Sequence, residues 1–267
     1  MSSSTPPTPL TAAEGGPSNT FRDSATVRRA AGPWTPTIRA LLQHLENVGF
    51  TGSPRVVGDG PDSHGNEVLT FVEGAIQHPR PWTPDGINDV GRLLRQLHEA
   101  TASFVPPPAA RWQPWYFHSE GPDAVLGHCD TGPWHIVARD GSPMAFIDWT
   151  LAGPIERRVE VAATAAWNAQ LQDDDVAERH GLPDARSRAE LVRHFLDGYE
   201  VPRAQRDDLV DEMIEFTIRD CAWEARRARI GPDSADPGPL WSLAWRARSA
   251  DWMLRNRCLL RRAVQPS

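Results

Sequence analysis

Leu126-Gly127-His128-Cys129-Asp130-Thr131-Gly132-Pro133-Trp134-His135 is followed, after twelve intervening residues, by Asp148 in Phe146-Ile147-Asp148-Trp149. His128, Asp130 and Asp148 stand at the ends of short apolar runs. Side chains at such positions are held rigidly while their tips face a cleft. Phosphoryl transfer needs one carboxylate to accept the proton of the acceptor hydroxyl and another to hold Mg2+ against nucleotide phosphates. Hard oxygen ligands suit that ion, and Asp130 and Asp148 supply two such carboxylates. The set His128, Asp130, His135 and Asp148 equally permits a Zn2+ hydrolase that activates water. Cys129 reads as a packing residue, because the neighbouring carboxylate disfavours a thiolate.

Outward from this segment, His135–Arg139 and Met144–Asp148 form a hairpin candidate across Asp140-Gly141, a favoured tight-turn pair. Upstream, Ala25–Arg29, Pro54–Val57 and Glu67–Val72 read as strands. Thr35-Pro36 gives a helix start with Thr as N-cap, and Ile38, Leu41, Leu42, Leu45 and Val48 keep helical spacing. A linker punctuated by Pro79, Pro81 and Pro84 precedes a second helix carrying Ile87, Val90, Leu94, Leu97 and Thr101. From Glu156 onward the pattern is helical, with one last helix carrying Trp241, Trp245, Trp252 and Leu259. The order predicts an α+β, bilobal protein: a small β-rich N-lobe and a larger, mainly helical C-lobe. We divide it into a disordered tail (1–13), an N-terminal nucleotide-binding lobe (14–74) and a C-terminal catalytic and substrate lobe (75–267). The cleft between lobes is the natural ligand site.

The two motifs together resemble the aminoglycoside phosphotransferase family, whose catalytic loop usually reads His-Gly-Asp, a proline-containing stretch and Asn, and whose metal motif reads Ile-Asp-Trp/Phe. The resemblance implies a protein-kinase-like fold, ATP or GTP with Mg2+ or Mn2+ as cofactors, Asp130 as catalytic base, His128 orienting the loop, and Asp148 as metal ligand. His135 falls at the position of the second metal ligand. Gly15, Gly16, Ser18 and Asn19 resemble the glycine-rich hairpin over the phosphates, and Leu69–Gly74 resembles the inter-lobe hinge, with Val72 and Glu73 meeting adenine through their backbones. Leu93–His98 resembles the helix after the hinge, where His98 is structural. The implied activity is transfer of the γ-phosphate to a hydroxyl of a small molecule, an amino sugar or similar alcohol. A nucleotide-binding pseudokinase without turnover is the alternative.

Three departures shape that expectation. Imidazole at His135 suits softer metals than Mg2+, and as imidazolium it repels metal. The chain contains no lysine, so all 28 basic side chains are arginine and the phosphate clamp falls to Arg29, with Arg28 as alternative. The helix over 36–48 has Arg39 where an acidic partner for the clamp is expected.

A net charge of -7 argues against a nucleic-acid partner. No apolar run spans a bilayer, the N-terminus does not read as a secretory signal, and three cysteines without CxxC spacing fit a reducing cytoplasm. Acidic residues of the helical lobe (Asp173, Asp174, Asp175, Glu178, Asp211, Glu212, Glu215, Asp220, Glu224) could receive a cationic acceptor. They read equally as a helix N-terminus and a solvated helix face. Most of the eleven tryptophans keep helical spacing and read as core, whereas Trp112, Trp115 and Trp134 lie in loops near the cleft.

Overall fold

The computed structural model describes residues 8–11 and 17–265. Its N-terminal part is a four-stranded antiparallel sheet in the order β1 (Thr8–Thr11), β2 (Pro17–Asp23), β3 (Thr26–Ala30), β4 (Asn66–Thr70). Thr8–Thr11 falls within the stretch expected to be tail. Its pairing with β2 supplies backbone partners that composition alone does not reveal. The expected strand over 54–57 shrinks to a single bridge between Val56 and Leu69.

Helix α1 (Thr35–Asn47) follows β3. Thr35 does not cap it as expected: the Thr35 hydroxyl accepts from Gly32 N at 2.9 Å, and Trp34 takes the cap position without a side-chain bond. Ile38, Leu41, Leu42 and Leu45 are fully buried and join the main core shared with the C-lobe. Each such burial is worth about 1.5–3 kcal/mol. The sheet itself contributes Leu69 to that core, so α1 is what anchors the N-lobe.

Chain continuity between the lobes runs through Phe71–Gly74 into β5 (Ala75–Ile76), which pairs with β7 (Ile136–Arg139); β7 in turn pairs with β8 (Ser142–Phe146). The β7–β8 turn is Asp140-Gly141, both at positive φ, as the sequence predicts. Gly74, at φ 153°, abuts β7 so closely that a Cβ would lie 2.6 Å from the Ala138 carbonyl oxygen. A third small sheet pairs β6 (Ala124–Gly127) with β9 (Gly153–Glu156).

The remainder is helical: α2 (Pro84–Thr101), α3 (Arg157–Asn168), α4 (Asp174–Arg179), α5 (Ala185–Tyr199), α6 (Arg206–Arg227), α7 (Pro237–Arg255) and α8 (Arg257–Val264). The single last helix read from the sequence is two, α7 and α8, broken at Asn256. Of the tryptophans, Trp82, Trp115, Trp149 and Trp252 are buried; the rest are partly or well exposed. The core reading of the tryptophans is therefore too broad, because a wide aromatic ring keeps helical spacing even where it faces a groove. No helix among the described residues is long and apolar enough to cross a membrane.

Helices α2 and α5 approach backbone to backbone at two glycines. A Cβ on Gly91 would stand 2.7 Å from the Tyr199 amide, and one on Gly198 would meet Asn88 backbone atoms at 2.7 and 3.0 Å. Gly91→Ala should cost about 1–3 kcal/mol through overpacking, although alanine is the better helix former. Urea unfolding against a Gly60→Ala control, a loop glycine whose Cβ would meet nothing within 4 Å, measures it.

Candidate active site

The catalytic-loop candidate is built on the end of β6. Cys129 has φ 67° and Asp148 φ 58°, both in the left-handed region. Asp tolerates that region; a cysteine there is strained. The Glu160 carboxylate of α3 supports the strained turn, accepting from Cys129 N at 2.7 Å while its other oxygen pairs with His98 Nε2 at 2.7 Å. His98 Nδ1 meets the Tyr199 hydroxyl at 2.7 Å. Burial opposes the Glu160 charge, but the hydrogen bond from His98 holds its pKa below the usual carboxylate value. Asn168 Nδ2 donates to Thr131 O at 2.8 Å, fixing the next residue of the loop. Helices α2, α3 and α5 thus grip a loop whose own sequence is unremarkable in propensity.

His128 is fully buried. Its Nε2 donates to Ile147 O at 2.9 Å, leaving Nδ1 to accept from Asp130 N at 3.3 Å. One ring therefore ties the Asp130 loop to the Asp148 loop. Burial, with His135 adding to it, lowers the His128 pKa to about 4, so the ring is neutral.

Asp130 and Asp148 converge on a second imidazole. His135 Nδ1 lies 3.2 Å from Asp130 Oδ2 and 3.1 Å from Asp130 O, and its Nε2 lies 3.9 Å from Asp148 Oδ2. Burial opposes a charge on His135, but the Asp130 carboxylate, by charge and hydrogen bond, raises its pKa to about 9. Asp148 is half-exposed. Burial works against its ionisation, and Arg29 and His135 nonetheless bring its pKa down to about 2.

Arg29 reaches this cluster from β3. Its Nη1 donates to Asp148 Oδ1 at 2.7 Å and to Thr150 Oγ1 at 2.6 Å, and its Nε to Glu67 Oε2 at 2.6 Å. Glu67 is buried, and it faces Arg29 directly across the β3–β4 ladder. The acid that sequence reasoning sought on α1 thus comes from the neighbouring strand. The signal that finds it is register: an Arg and a Glu facing each other on adjacent strands. Arg39, at the vacant helix position, donates instead to Gly58 O at 2.6 Å. Arg28, the alternative clamp, pairs outward with Asp23 and Asp62.

The remaining predicted positions divide. Gly15 and Gly16 lie outside the described residues, and Ser18 and Asn19 fall on β2. Val72 and Glu73 lie on the connection between β4 and β5; the Glu73 carbonyl accepts weakly from Arg139 at 3.4 Å, and its carboxylate pairs with Arg22 at 2.7 Å. Trp115 is buried with Phe117 in a second cluster and Trp112 packs on the main core, so only Trp134 of the three loop indoles stands at the site, donating to Asp130 Oδ1 at 3.4 Å. Among the described residues no group of three His, Cys, Asp or Glu side chains is arranged to hold a metal ion. Asp148 fits a hard divalent cation as a single oxygen ligand. His135 Nε2, 3.9 Å from Asp148 Oδ2, is the nearest imidazole nitrogen and a softer donor than Mg2+ prefers.

No protein-family model matches the chain. The trifolitoxin immunity protein of Rhizobium leguminosarum bv. trifolii is 47% identical over 251 residues, covering 94% of this chain and 96% of that protein. The chain belongs to the trifolitoxin immunity protein family. Its fold is shared with solved small-molecule kinases. An amicoumacin kinase in complex with AMP-PNP and Ca2+ superposes with TM-score 0.64 at 14% identity, covering 92% of this chain and 88% of the kinase. A microcompartment-associated aminopropanol kinase gives 0.60 at 15%, covering 91% and 90%. An aminoglycoside phosphotransferase of Alicyclobacillus acidocaldarius gives 0.55 at 17%, covering 93% and 91%. The protein-kinase-like fold expected from the motifs is therefore the fold of this family member.

Two measurements probe this arrangement. Glu67→Ala removes the buried one of the two carboxylates that Arg29 holds, Asp148 remaining, and should cost about 1–3 kcal/mol, whereas Glu73→Ala, which breaks the exposed pair with Arg22, should cost about 0–1 kcal/mol; urea unfolding compares them. His128, ordinarily near 6.5 and held near 4 here, refuses a proton that the unfolded chain accepts. Its contribution to stability is thus full above pH 6.5 and is lost as pH falls toward 4. His128→Gln should flatten the stability–pH slope across that window relative to the unsubstituted protein.

Proposed function

We propose that this chain is an ATP-dependent phosphotransferase that moves the γ-phosphoryl group to a hydroxyl of a small molecule. The observation that carries this reading is the convergence of Asp130 and Asp148 on the two ends of the His135 ring, with Arg29 reaching Asp148 from the opposite lobe. In this reading Asp130 orients the acceptor hydroxyl and takes its proton. Trp134 N–H holds the Asp130 carboxylate in place, and His128 holds its backbone. Arg29, fixed by Glu67, turns its guanidinium to the nucleotide phosphates. Asp148 would hold a divalent ion, which supplies positive charge against those phosphates when bound. Val72 and Glu73 would meet the adenine, and the glycine-rich residues 15–19 would cover the phosphates. The cytoplasm, where ATP is abundant, suits such an activity.

The curated relative is an immunity protein, and the fold serves kinases of compounds such as amicoumacin. The corresponding role for this chain is protection of its host by phosphorylating a toxic small molecule. An acceptor bound through free carboxylates, as expected for an amino sugar, draws little support from the acidic surface. Asp173, Asp174, Asp175, Asp211, Glu212, Glu215, Asp220 and Glu224 are each paired with arginine.

A pseudokinase is the second reading, favoured by one observation: His135 and Arg29 already neutralise both carboxylates. Incubation with radiolabelled ATP, Mg2+ or Mn2+, and a panel of neutral and cationic alcohols separates the two readings. Turnover that Asp130→Asn lowers by about 10³-fold or more supports the kinase. His135→Asn should raise the rate and lower the Mg2+ concentration needed. Nucleotide binding by thermal shift with no turnover on any alcohol, in either the unsubstituted protein or His135→Asn, points to the pseudokinase.

A further inference from the structure

Where the end of α2 meets the small β6–β9 sheet, the surface opens into a pocket of about 320 Å3 lined by His98, Thr101, Phe104, Val125, Leu126 and Arg157 among others. That volume lies in the range of small-molecule sites. None of Arg29, Asp130, His135 or Asp148 lines it, so it is separate from the candidate active site. We propose that this pocket is a second ligand site, for a small amphipathic monocarboxylate, and that filling it tightens the loop that carries Asp130. Neither the pocket nor its link to the loop depends on the phosphotransferase reading.

The lining divides into an apolar wall and one cation. Phe104 packs on the main core and Val125 on the second cluster, so the pocket sits at the seam between the two. Phe104, Val125 and Leu126 are only half-buried there, and an apolar ligand body would cover what they leave open. Arg157, the first residue of α3, is the one arginine of the lining. Its Nη1 donates to the Tyr199 hydroxyl at 3.2 Å. Among the described residues Arg157 forms no ion pair, whereas its neighbour Arg158 is paired with Glu212 at 2.9 Å. A guanidinium donates through a planar fork, so Nε and Nη2 are left to hold a carboxylate while Nη1 keeps Tyr199. Both His98 nitrogens are already engaged, by Tyr199 and Glu160. With a single cation to meet it, a ligand of one negative charge is matched and a polyanion is not.

The link to the loop is a continuous set of hydrogen bonds. Arg157 donates to Tyr199 Oη, the Tyr199 O–H donates to His98 Nδ1, His98 Nε2–H donates to Glu160, and Glu160 accepts from Cys129 N beside Asp130. Leu126 on the pocket wall also lies on β6, the strand that delivers the loop. A carboxylate that fixes Arg157 therefore fixes the outer end of the chain of bonds that holds the Cys129 turn.

The probe is 3-phenylpropanoate, with 3-phenylpropanamide as its neutral counterpart and acetate as the anion without a body. NMR titration of the full chain without nucleotide should give a Kd of about 1 mM or tighter for the acid, and binding at least about tenfold weaker for the amide and for acetate. Arg157→Gln should erase the preference for acid over amide. Ala102→Phe, at an exposed position on the pocket lining, should block the acid without touching the guanidinium. The melting temperature of each free variant checks that its fold is intact. With probe at about ten times its Kd, hydrogen exchange at the Cys129 amide should slow by about three- to tenfold, and by more than at α7, which does not line the pocket. Arg157→Gln should lose that slowing. Amide or acetate binding as tightly as the acid, a preference that survives Arg157→Gln, binding that survives Ala102→Phe, no saturable binding below about 10 mM, or binding with exchange at Cys129 unchanged overturns the proposal. No readout here involves ATP, so failure of phosphotransfer and failure of this site are told apart.

Discussion

One guanidinium joins the two halves of this protein. Arg29 leaves β3, is fixed by the buried Glu67 on β4, and ends on Asp148 and Thr150 at the far side of the cleft. Arginine suits this task because its planar fork donates in several directions at once and stays charged when partly buried. A lysine ammonium, as a point charge, would not hold Glu67 through one nitrogen and Asp148 and Thr150 through another. The absence of lysine from the chain is thus compatible with a tightly constructed clamp, and the geometry of that clamp differs from one built on a helix-borne acid.

Around the clamp, the site is held by neutral and charged imidazoles in distinct roles. His128, buried and neutral, is a strut between two backbone segments. His135, lifted toward pH 9, sits between two carboxylates that would otherwise repel each other. Two imidazoles whose rings lie 6.5 Å apart have pKa values shifted in opposite directions, because burial prevails at His128 and the Asp130 carboxylate outweighs burial at His135.

Much of this was legible in the sequence. The Asp140-Gly141 hairpin, the amphipathic faces of α1 and α2, and the juxtaposition of Asp130 with Asp148 follow from local spacing. What escaped is non-local. Glu67 is defined by strand register, and Glu160 by the packing of α3 beneath the loop; neither stands near its partner in sequence. The tryptophans misled because indole spacing on a helix is the same whether the ring faces core or groove, and only the third dimension tells Trp252 from Trp245. The acidic residues of the helical lobe were ambiguous for the same reason: their arginine partners, such as Arg246 for Asp220 and Arg158 for Glu212, lie 26 and 54 residues away.

The placement of Glu67 has a consequence for control. An acid carried on a mobile helix can be swung away from its basic partner, and that displacement makes an off state. Here both residues belong to adjacent, hydrogen-bonded strands in fixed register, so separating them means tearing the sheet. In the phosphotransferase reading proposed above, the guanidinium that meets phosphate is therefore set by sheet register, on folding, rather than by the position of a helix.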